Sequence, residues 1–451
     1  MNDQSQDPNT GRAVPSGRLT RLARLGGMAS GIAGSMALEG ARQFGRGARP
    51  EARDLLLTPA NVTRLTEELA RMRGAAMKLG QLVSMDAGDV LPPELATIMA
   101  RLREAAEPMP PRQLRRVLDA AWGTNWLPSF AHFDPRPIAA ASIGQVHRAK
   151  TRDGHDLAIK VQYPGVAASI DSDVANLGVL IRMSGLLPKG LALAPLLEEV
   201  RRQLHEEADY RREAEMLSRF GAFVAGDPNY HVPRPFPKLS TDTVLAMEYV
   251  PGLPIEDAAT LPQARRNQIM TKLADLFLRE VFQYGLIQSD PNFANYRFDP
   301  ETDKLVLLDF GAARTVPGDI AQGYRTLLVS GLSGNKAGME GAAIALGFFA
   351  EDTMTRHKRI VLDMVRTVFD ALTIGASFDF GDTALTDRLR AQGMVLAAER
   401  DFVHVPPVDT LFLQRKVGGL FLLGARLRAH VPISDLLERH LGLLAEPVLA
   451  R

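Results

Sequence analysis

The spacing of apolar residues predicts helices in the first part of the chain. From Thr58 onward, apolar positions recur three and four residues apart on one helical face, at Leu65, Leu69, Met72, Ala76, Leu79 and Val83. Two proline pairs then open further helices, one from Pro92 to about residue 106 and one from Pro110 until Gly123 closes it. We therefore expect an all-helical region from residue 58 to residue 123.

Strand-like patterns replace the helical period in the next part of the chain. Residues 137–150 and 156–163 are short β-type runs joined by a turn at residues 152–154, which predicts a hairpin with Lys160 on its second strand. A long helix is predicted from residue 195 to residue 220, and a proline-broken run at 231–250 reads as the last strand of a small sheet. Beyond Leu261 the pattern is mainly helical.

Composition narrows the class of protein without naming a function. The chain has 451 residues, 46% of them hydrophobic and 23% charged, which is typical of a soluble globular protein. A net charge of +1 gives no reason to expect nucleic acid as a partner. The absence of cysteine excludes disulfides, thiolate zinc sites and cysteine nucleophiles, and it is consistent with a reducing compartment.

The first 57 residues form a basic leader in this interpretation. Residues 1–50 contain seven arginines, and the segment at 25–38 has 14 uncharged residues with four glycines. A bilayer span needs about 20 apolar residues, so this segment is too short to cross a membrane. Either it contacts a membrane surface or a partner, or it is a flexible leader.

The stretch from residue 286 to residue 313 contains the strongest candidate chemistry. It holds Asp290, then Asn295, and then Asp309 followed by Phe310 and Gly311. Phosphoryl transfer needs oxygen ligands for Mg²⁺ and a carboxylate near the attacking group, and protein kinases place the same residue types at nearly these spacings. The alternative is a solvated hairpin rich in Asx turns. The three residues in register favour a nucleotide site.

A lysine and a group of acidic residues are the second candidate feature. Lys160 can pair with nucleotide phosphates if a carboxylate orients it. In one continuous helix Asp209 and Glu213 share a face with Glu206, whereas Glu207 projects about 200° away from Asp209. We therefore expect Glu213 or Asp209 to orient Lys160.

An alanine-rich loop precedes the lysine strand. Ala139, Ala140, Ala141 and Ser142 stand where a protein kinase has its glycine-rich loop. Alanine restricts φ and adds a methyl group, so this loop should hold a nucleotide differently from an ordinary kinase loop. Taken alone, the same residues would be interpreted as a tight strand.

Six motifs together carry a resemblance to a known family. The chain resembles the UbiB family, the aarF-domain (ADCK-type) atypical kinase-like proteins linked to ubiquinone biosynthesis, and most of all its coenzyme Q branch. The motifs are KLGQ at 78–81, AAAS at 139–142, AIK at 158–160, EADYRREA at 207–214, QSDPNFAN at 288–295 and LLDFGA at 307–312.

The resemblance implies a role for each matching residue. Lys160 corresponds to the phosphate-binding lysine and Glu213 to its ion-pair partner, while Asp290 corresponds to the catalytic-loop aspartate. The metal ligands would be Asn295 and Asp309. The remaining nucleotide-site residues that it implies are Ala139, Ala140, Ala141, Ser142, the E-x-D pair Glu207 and Asp209, the hinge residues Glu248 and Val250, and the K-x-G-Q residues Lys78 and Gln81.

The implied architecture is an α+β, bilobal protein-kinase-like fold with a helical N-terminal extension and a mainly helical C-terminal lobe. The expected domains are a leader at 1–57, a helical K-x-G-Q extension at 58–134, an N-lobe with inserted helices at 135–250 and a C-lobe at 251–451. The extension is understood to fold across the place where a protein substrate would dock. An insertion is also expected between Lys160 and Glu213, because 53 residues separate them.

The implied function is an ATP-binding, Mg²⁺-dependent atypical kinase or ATPase that supports ubiquinone biosynthesis at a membrane surface. Gln288-Ser289 replaces the His-Arg of ordinary kinases and Asn292 replaces a lysine, which disfavours transfer to a protein hydroxyl. The alternatives are a nucleotide-binding pseudokinase scaffold and a genuine protein or small-molecule kinase.

Partners and location also follow from the resemblance. The expected partners are ATP, lipid or quinone precursors, ubiquinone-biosynthesis proteins and a peripheral membrane surface, with a homodimer left open and no nucleic acid. The expected location is the cytoplasm, peripheral on a bacterial inner membrane, or the mitochondrial matrix side in a eukaryote.

Overall fold

The computed structural model describes residues 74–76, 78–79, 108–184, 193–373, 376–399 and 406–442. The predicted leader, the helix predicted at 92–106 and Gln81 lie outside the described residues, and of the helix predicted from Thr58 through Val83 only residues 74–76 and 78–79 are described. The described chain divides into two compact units. The first includes the residues up to Ser218 together with Arg234–Tyr249, and the second includes Arg219–Pro233 together with the residues from Val250 onward.

The regular elements are numbered here in chain order. The α-helices of the described residues are α1 (Pro111–Trp122), α2 (Val166–Ser184), α3 (Leu193–Glu207), α4 (Tyr210–Phe223), α5 (Gln263–Arg279), α6 (Gly318–Leu332), α7 (Lys336–Ala345), α8 (Thr355–Thr373), α9 (Ala384–Ala398), α10 (Val408–Leu427) and α11 (Ile433–Leu441). The strands are β1 (Phe130–Ala140), β2 (Gly144–Thr151), β3 (Asp156–Gln162), β4 (Tyr230–His231), β5 (Val244–Glu248), β6 (Leu253–Pro254), β7 (Leu286–Gln288), β8 (Tyr296–Asp299), β9 (Lys304–Leu307), β10 (Ala313–Thr315), β11 (Phe378–Asp379) and β12 (His430–Val431). None of the described helices is long and apolar enough to span a bilayer.

The first unit is built on a four-stranded antiparallel sheet in the order β1-β2-β3-β5. The predicted run at 137–150 is two strands, because the chain turns between Ala140 and Gly144. A Cβ at Gly144 would lie 2.4 Å from the carbonyl oxygen of Val161, so only glycine permits this close approach of β2 to β3. β1 begins earlier than predicted, and its two prolines are tolerated because it is an edge strand.

Helix α1 covers this sheet and has the bounds that the sequence predicts. Pro111 lies in its first turn, and Gly123 follows its last residue with a positive φ of 82°. Its buried leucines, Leu114 and Leu118, pack in one apolar cluster with Trp126, Phe130 and Ile159. The amphipathic pattern of residues 111–122 therefore places the helix against β3.

The predicted single helix at 195–220 is wrong, because α3 ends at Glu207 and α4 begins at Tyr210. Asp209 causes the break: its Oδ1 accepts the backbone N–H of Arg212 at 2.9 Å, which is an N-terminal cap. The expected insertion between Lys160 and Glu213 is filled by α2, α3 and the start of α4.

The second unit is mainly helical, and besides the β11–β12 pair it has two small strand groups that present its polar loops. β7 pairs antiparallel with β10, and β8 and β9 form a hairpin within a four-stranded sheet of order β4-β9-β8-β6. A π-helical turn, Glu280–Tyr284, follows α5, and Gly285 with φ of 58° then directs the chain into β7. The core of this unit includes Val281, Ile287, Leu327, Phe369 and Leu413.

Candidate active site

In the first unit, Lys160 is held by a buried carboxylate. Its Nζ donates to both oxygens of Glu213, at 2.8 and 2.9 Å, and the two side chains are only 9% and 1% exposed. The sheet supplies the lysine from β3 and the first turn of α4 supplies the glutamate. The ammonium also lies 5.2 Å from the ring centroid of Tyr210. Of the two carboxylates considered for orienting Lys160, the structure brings Glu213 to it.

Glu207 makes a second junction in the same unit. Its Oε1 accepts from Nζ of Lys78, and its Oε2 accepts from Oγ of Ser142 at 2.5 Å. The carboxylate therefore joins the helical residues 74–76 and 78–79 to the loop that follows β1. Gly74 packs in the same place, since a Cβ there would lie 3.2 Å from Ile143. Sequence geometry did not foresee this junction.

The prediction that Glu206 and Asp209 share the face of Glu213, with Glu207 turned away, is wrong. Glu206 pairs with Arg202 at 3.1 Å, and Asp209 is exposed and caps α4. Because α3 ends at Glu207, the rotation between Glu207 and Asp209 is not that of a continuous helix. Glu207 is consequently the acidic residue that contacts the K-x-G-Q lysine and the alanine-rich loop.

The alanine-rich loop is shorter than its sequence suggests. Ala139 and Ala140 are exposed residues at the end of β1, paired with Val146 and Gln145 of β2. The N–H of Ala141 donates to the carbonyl oxygen of Gly144 at 2.9 Å and closes the turn.

The predicted hinge residues lie where the two units meet in the sequence. Glu248 is the last residue of β5 in the first unit, and Val250 is the first residue of the second unit's longer segment. The N–H of Glu248 donates to Arg234 O at 2.9 Å, and the N–H of Tyr249 donates to Asp156 O at 2.9 Å.

In the second unit, a short turn connects Asp290 with Asn295. Asn292 accepts the N–H of Ala294 and caps a single 3₁₀ turn that ends at Asn295. The side-chain amide of Asn295 donates to the carbonyl oxygen of Asp290 at 3.4 Å, and the N–H of Leu308 donates to Asn295 O at 2.9 Å. These bonds hold the loop after β7 against the segment that leads to Asp309.

Asp309 is positioned by its own loop and by the aromatic residue that follows it. Its Oδ1 accepts the N–H of Gly311 at 2.9 Å, and the buried ring of Phe310 lies 4.3 Å from that of Phe220. Ser289 Oγ donates to Ala312 O at 2.8 Å, next to the β7–β10 ladder. The loops of Asp290 and Asp309 are therefore tied together on both sides.

The oxygens of these side chains suit a magnesium ion. Mg²⁺ prefers oxygen ligands and usually binds through one or two carboxylates together with waters and nucleotide phosphates. In the part of the chain that the structure describes, no group of three or more His, Asp or Glu side chains is placed to hold a metal. The carboxylate of Asp309 and the side-chain carbonyl of Asn295 are oxygen donors of the kind that such an ion takes beside nucleotide phosphates.

Sequence reasoning missed a buried polar group behind this loop. Lys416 of α10 donates to the backbone carbonyl of Gln288 at 2.7 Å and lies 3.8 Å from Glu280. Two adjacent basic residues, Arg415 and Lys416, within the mostly apolar stretch at 411–425 were the local signal for it.

A sheet bearing a buried lysine–glutamate pair, followed by loops with Asp, Asn and D-F-G, defines a protein-kinase-like protein. Residues 101–343 match the ABC1 atypical kinase-like domain. The chain is 36% identical over 438 residues to the protein named "Atypical kinase COQ8, mitochondrial" of Saccharomyces cerevisiae, covering 97% of this chain and 87% of that protein. It belongs to the ABC1 atypical kinase-like family, the family of the COQ8 and UbiB proteins.

Two further comparisons agree with this assignment. "Atypical kinase COQ8B, mitochondrial" of Rattus norvegicus is 36% identical over 437 residues, covering 96% of this chain and 82% of that protein. The structure of Rv3197 from Mycobacterium tuberculosis, solved with erythromycin, superposes with a TM-score of 0.61 at 25% identity and covers 81% of this chain and 92% of that one. The predicted family and the α+β kinase-like fold class are confirmed.

Proposed function

We propose that this chain binds ATP with Mg²⁺ and acts as an atypical kinase or ATPase that supports ubiquinone biosynthesis at a membrane surface. The observation that carries the proposal is the buried, bidentate pair of Lys160 and Glu213. Burial of an ammonium is costly unless a carboxylate compensates it. A compensated ammonium on an inner strand of a sheet is suited to nucleotide phosphates, whose negative charge it can meet without reorganisation.

Each candidate site residue of the second unit has a role in this proposal. Asp309 and Asn295 would hold Mg²⁺, which when bound neutralises charge on the phosphate oxygens. Asp290 would accept a proton from the attacking hydroxyl or orient an attacking water. Its loop is held by Asn295 and by the β7–β10 ladder, so the carboxylate is positioned before a nucleotide arrives.

Water or a small acceptor is favoured over a protein hydroxyl. Asn292 caps the 3₁₀ turn where ordinary kinases have a lysine toward the transferred phosphate. Lys78, through Glu207, fastens the helical extension to the loop at Ser142. An extension anchored in this way supports the idea that it covers the place where a protein substrate would dock.

The proposed partners and location come from the relatives. The similar proteins are named as mitochondrial atypical kinases and as UbiB, which supports a role beside quinone precursors and the proteins that modify them. We propose peripheral association with the bacterial inner membrane or with the matrix side of the mitochondrial inner membrane. The four expected domains, bounded at residues 57, 134 and 250, remain part of this proposal.

The proposal is tested by phosphate release from ATP. Release is measured with Mg²⁺, with and without anionic liposomes and a phenolic quinone precursor. Asp309→Asn removes a metal-ligand charge, so it should reduce hydrolysis by about 100-fold or more. Asp319→Asn is the matched control, because Asp319 is an exposed aspartate at the start of α6.

The outcomes separate the candidate functions. Hydrolysis that depends on Asp309 but not on Asp319 supports an ATPase. Binding of Mg·ATP without any release would instead support the nucleotide-binding scaffold. Transfer of phosphate to proteins of a cell extract would support a genuine protein kinase. Equal activity of the Asp309→Asn variant and the wild type would remove the metal assignment.

A further inference from the structure

Lys416 lies in the middle of α10 and is almost completely buried, with 3% of its side chain exposed. Its three N–H donors have three neutral oxygen acceptors. Nζ lies 2.7 Å from the backbone carbonyl of Gln288, 3.0 Å from the Oε1 of the same residue, and 2.5 Å from the hydroxyl of Tyr296. The ammonium is thus fully hydrogen-bonded without a direct bond to a carboxylate.

A buried carboxylate belongs to the same polar group. Glu280 lies 3.8 Å from Lys416 Nζ and is 1% exposed. Its Oε1 accepts the N–H of Gln288 at 3.3 Å. Burial raises the pKa of Glu280 to about 7, although Lys416 opposes this rise. Both backbone groups of Gln288, the N–H and the carbonyl, are therefore held by ionisable side chains.

The contacts of Lys416 fall next to two of the candidate site residues. Gln288 is two residues before Asp290, and Tyr296 directly follows Asn295. Lys416 bonds to both ends of this loop, and the hydroxyl of Tyr296 also donates to Oε1 of Gln288 at 3.4 Å. The ammonium therefore ties the end of β7, two residues before Asp290, to the start of β8, directly after Asn295.

The energetics favour a role beyond stability. Taking an ammonium out of water costs several kcal/mol, and an apolar side chain of similar volume is often equally stable or more stable. Buried charges therefore need another explanation, and fixing one arrangement of polar groups is the best supported. Ordinary kinases have His-Arg before the catalytic aspartate, whereas this chain has Gln288-Ser289.

We propose that Lys416 is a positioning residue for the Asp290–Asn295 loop, which it holds through Gln288 and Tyr296 in the arrangement that Mg·ATP chemistry needs. This inference rests on the proposed function, and it adds a residue of a distant C-terminal helix to that site. Lys416 does not touch the reacting groups. It acts through the backbone and the side chains that precede and follow them.

The test compares Lys416→Met with a matched control, Lys272→Met. Lys272 also donates to a backbone carbonyl, that of Asp303, and to that residue's carboxylate at 3.1 Å, but its partner lies in the turn between β8 and β9. Kd for ATP is measured by calorimetry with Mg²⁺ and with EDTA, together with kcat, KM and Tm. The double variant Lys416→Met/Glu280→Gln is measured as well, because Lys416→Met alone would leave the buried carboxyl group of Glu280 without its neighbouring ammonium.

The expected result is specific to the metal-dependent step. In Lys416→Met and in the double variant, the ratio of Kd in EDTA to Kd in Mg²⁺ should fall about tenfold or more, KM for Mg·ATP should rise with the Kd in Mg²⁺, and kcat should fall as well. Lys272→Met should have a lower Tm, with the Kd ratio and kcat unchanged.

The remaining outcomes distinguish this inference from the proposed function. Equal losses of Tm in Lys416→Met and Lys272→Met with an unchanged Kd ratio would overturn it, because Lys416 would then only stabilise the fold. The wild-type protein could bind Mg·ATP without hydrolysing it, while Lys416→Met lowers the ratio of Kd in EDTA to Kd in Mg²⁺. That result would support the positioning role of Lys416 and reject ATP turnover. A wild-type protein that binds no ATP would reject both.

Discussion

Two adjacent glycines of α10 allow a matched test of how tightly this helix packs on the Asp290 loop. A Cβ added at Gly419 would lie 2.2 Å from Cβ of Pro291, the residue after Asp290, whereas a Cβ at Gly418 has no atom within 4 Å. Replacing a helical glycine by alanine normally gains about 0.5–1 kcal/mol in either position. This gain cancels when the two alanine variants are compared.

The difference between the variants is therefore the cost of overpacking. Carbon atoms pack at about 3.5–4.0 Å, so the added methyl group must displace Pro291 or α10 by more than 1 Å. Overpacking of this kind costs about 1–3 kcal/mol. We expect Gly418→Ala to be slightly more stable than the wild type and Gly419→Ala to be about 1–3 kcal/mol less stable than Gly418→Ala.

Urea denaturation at constant m value measures this difference, and phosphate release from ATP reports the position of the loop. Because Pro291 follows Asp290, Gly419→Ala should also lose hydrolysis, while Gly418→Ala should keep it. Equal stability of the two variants would refute the close contact between α10 and this loop. Equal activity with unequal stability would show that the displacement does not reach Asp290.

Three further changes have defined outcomes. Gly144→Ala should lower the free energy of unfolding, measured in urea, by about 1–3 kcal/mol, because the added Cβ would meet the carbonyl oxygen of Val161. Glu213→Gln should lower the free energy of unfolding by about 3–5 kcal/mol and weaken ATP binding, because it removes the carboxylate that compensates the buried ammonium of Lys160. A Lys160→Met/Glu213→Leu double variant should regain stability but should not regain ATP binding. The folded-state pKa of Glu280, about 7, lies above its ordinary 4.5, so its contribution to stability is complete below pH 4.5 and is lost as the pH rises through 7; Glu280→Gln should flatten that part of the stability–pH curve.

Local chemistry made several elements predictable from the sequence. Pro111 and Gly123 bound α1 because proline suits the first turn of a helix and a glycine with positive φ suits its end. The turn at residues 152–154 joins β2 to β3 in an antiparallel hairpin with Lys160 on its second strand, as the sequence predicts. In each case the residues that decide the conformation are neighbours in the chain, so their pattern can be read without knowledge of the tertiary structure.

Features that depend on distant partners were not predictable in this way. The break between β1 and β2 follows from the approach of Gly144 to Val161, and the polar group around Lys416 joins residues that lie 120 to 136 positions away. No periodicity marks such contacts. The roles of Asp290, Asn295 and Asp309 likewise came from a family resemblance and from motif spacing, and they stay predictions until nucleotide binding is measured.

The break between α3 and α4 shows how a local choice decides the chemistry of a site. A continuous helix would turn Glu207 about 200° away from Asp209. Asp209 instead caps α4, and the interruption lets Glu207 reach Lys78 and Ser142 while Glu213, one turn into the new helix, reaches Lys160. Aspartate favours caps because its side chain competes for backbone N–H groups. One capping residue thus sends two carboxylates to two different lysines, which no single helical face could do.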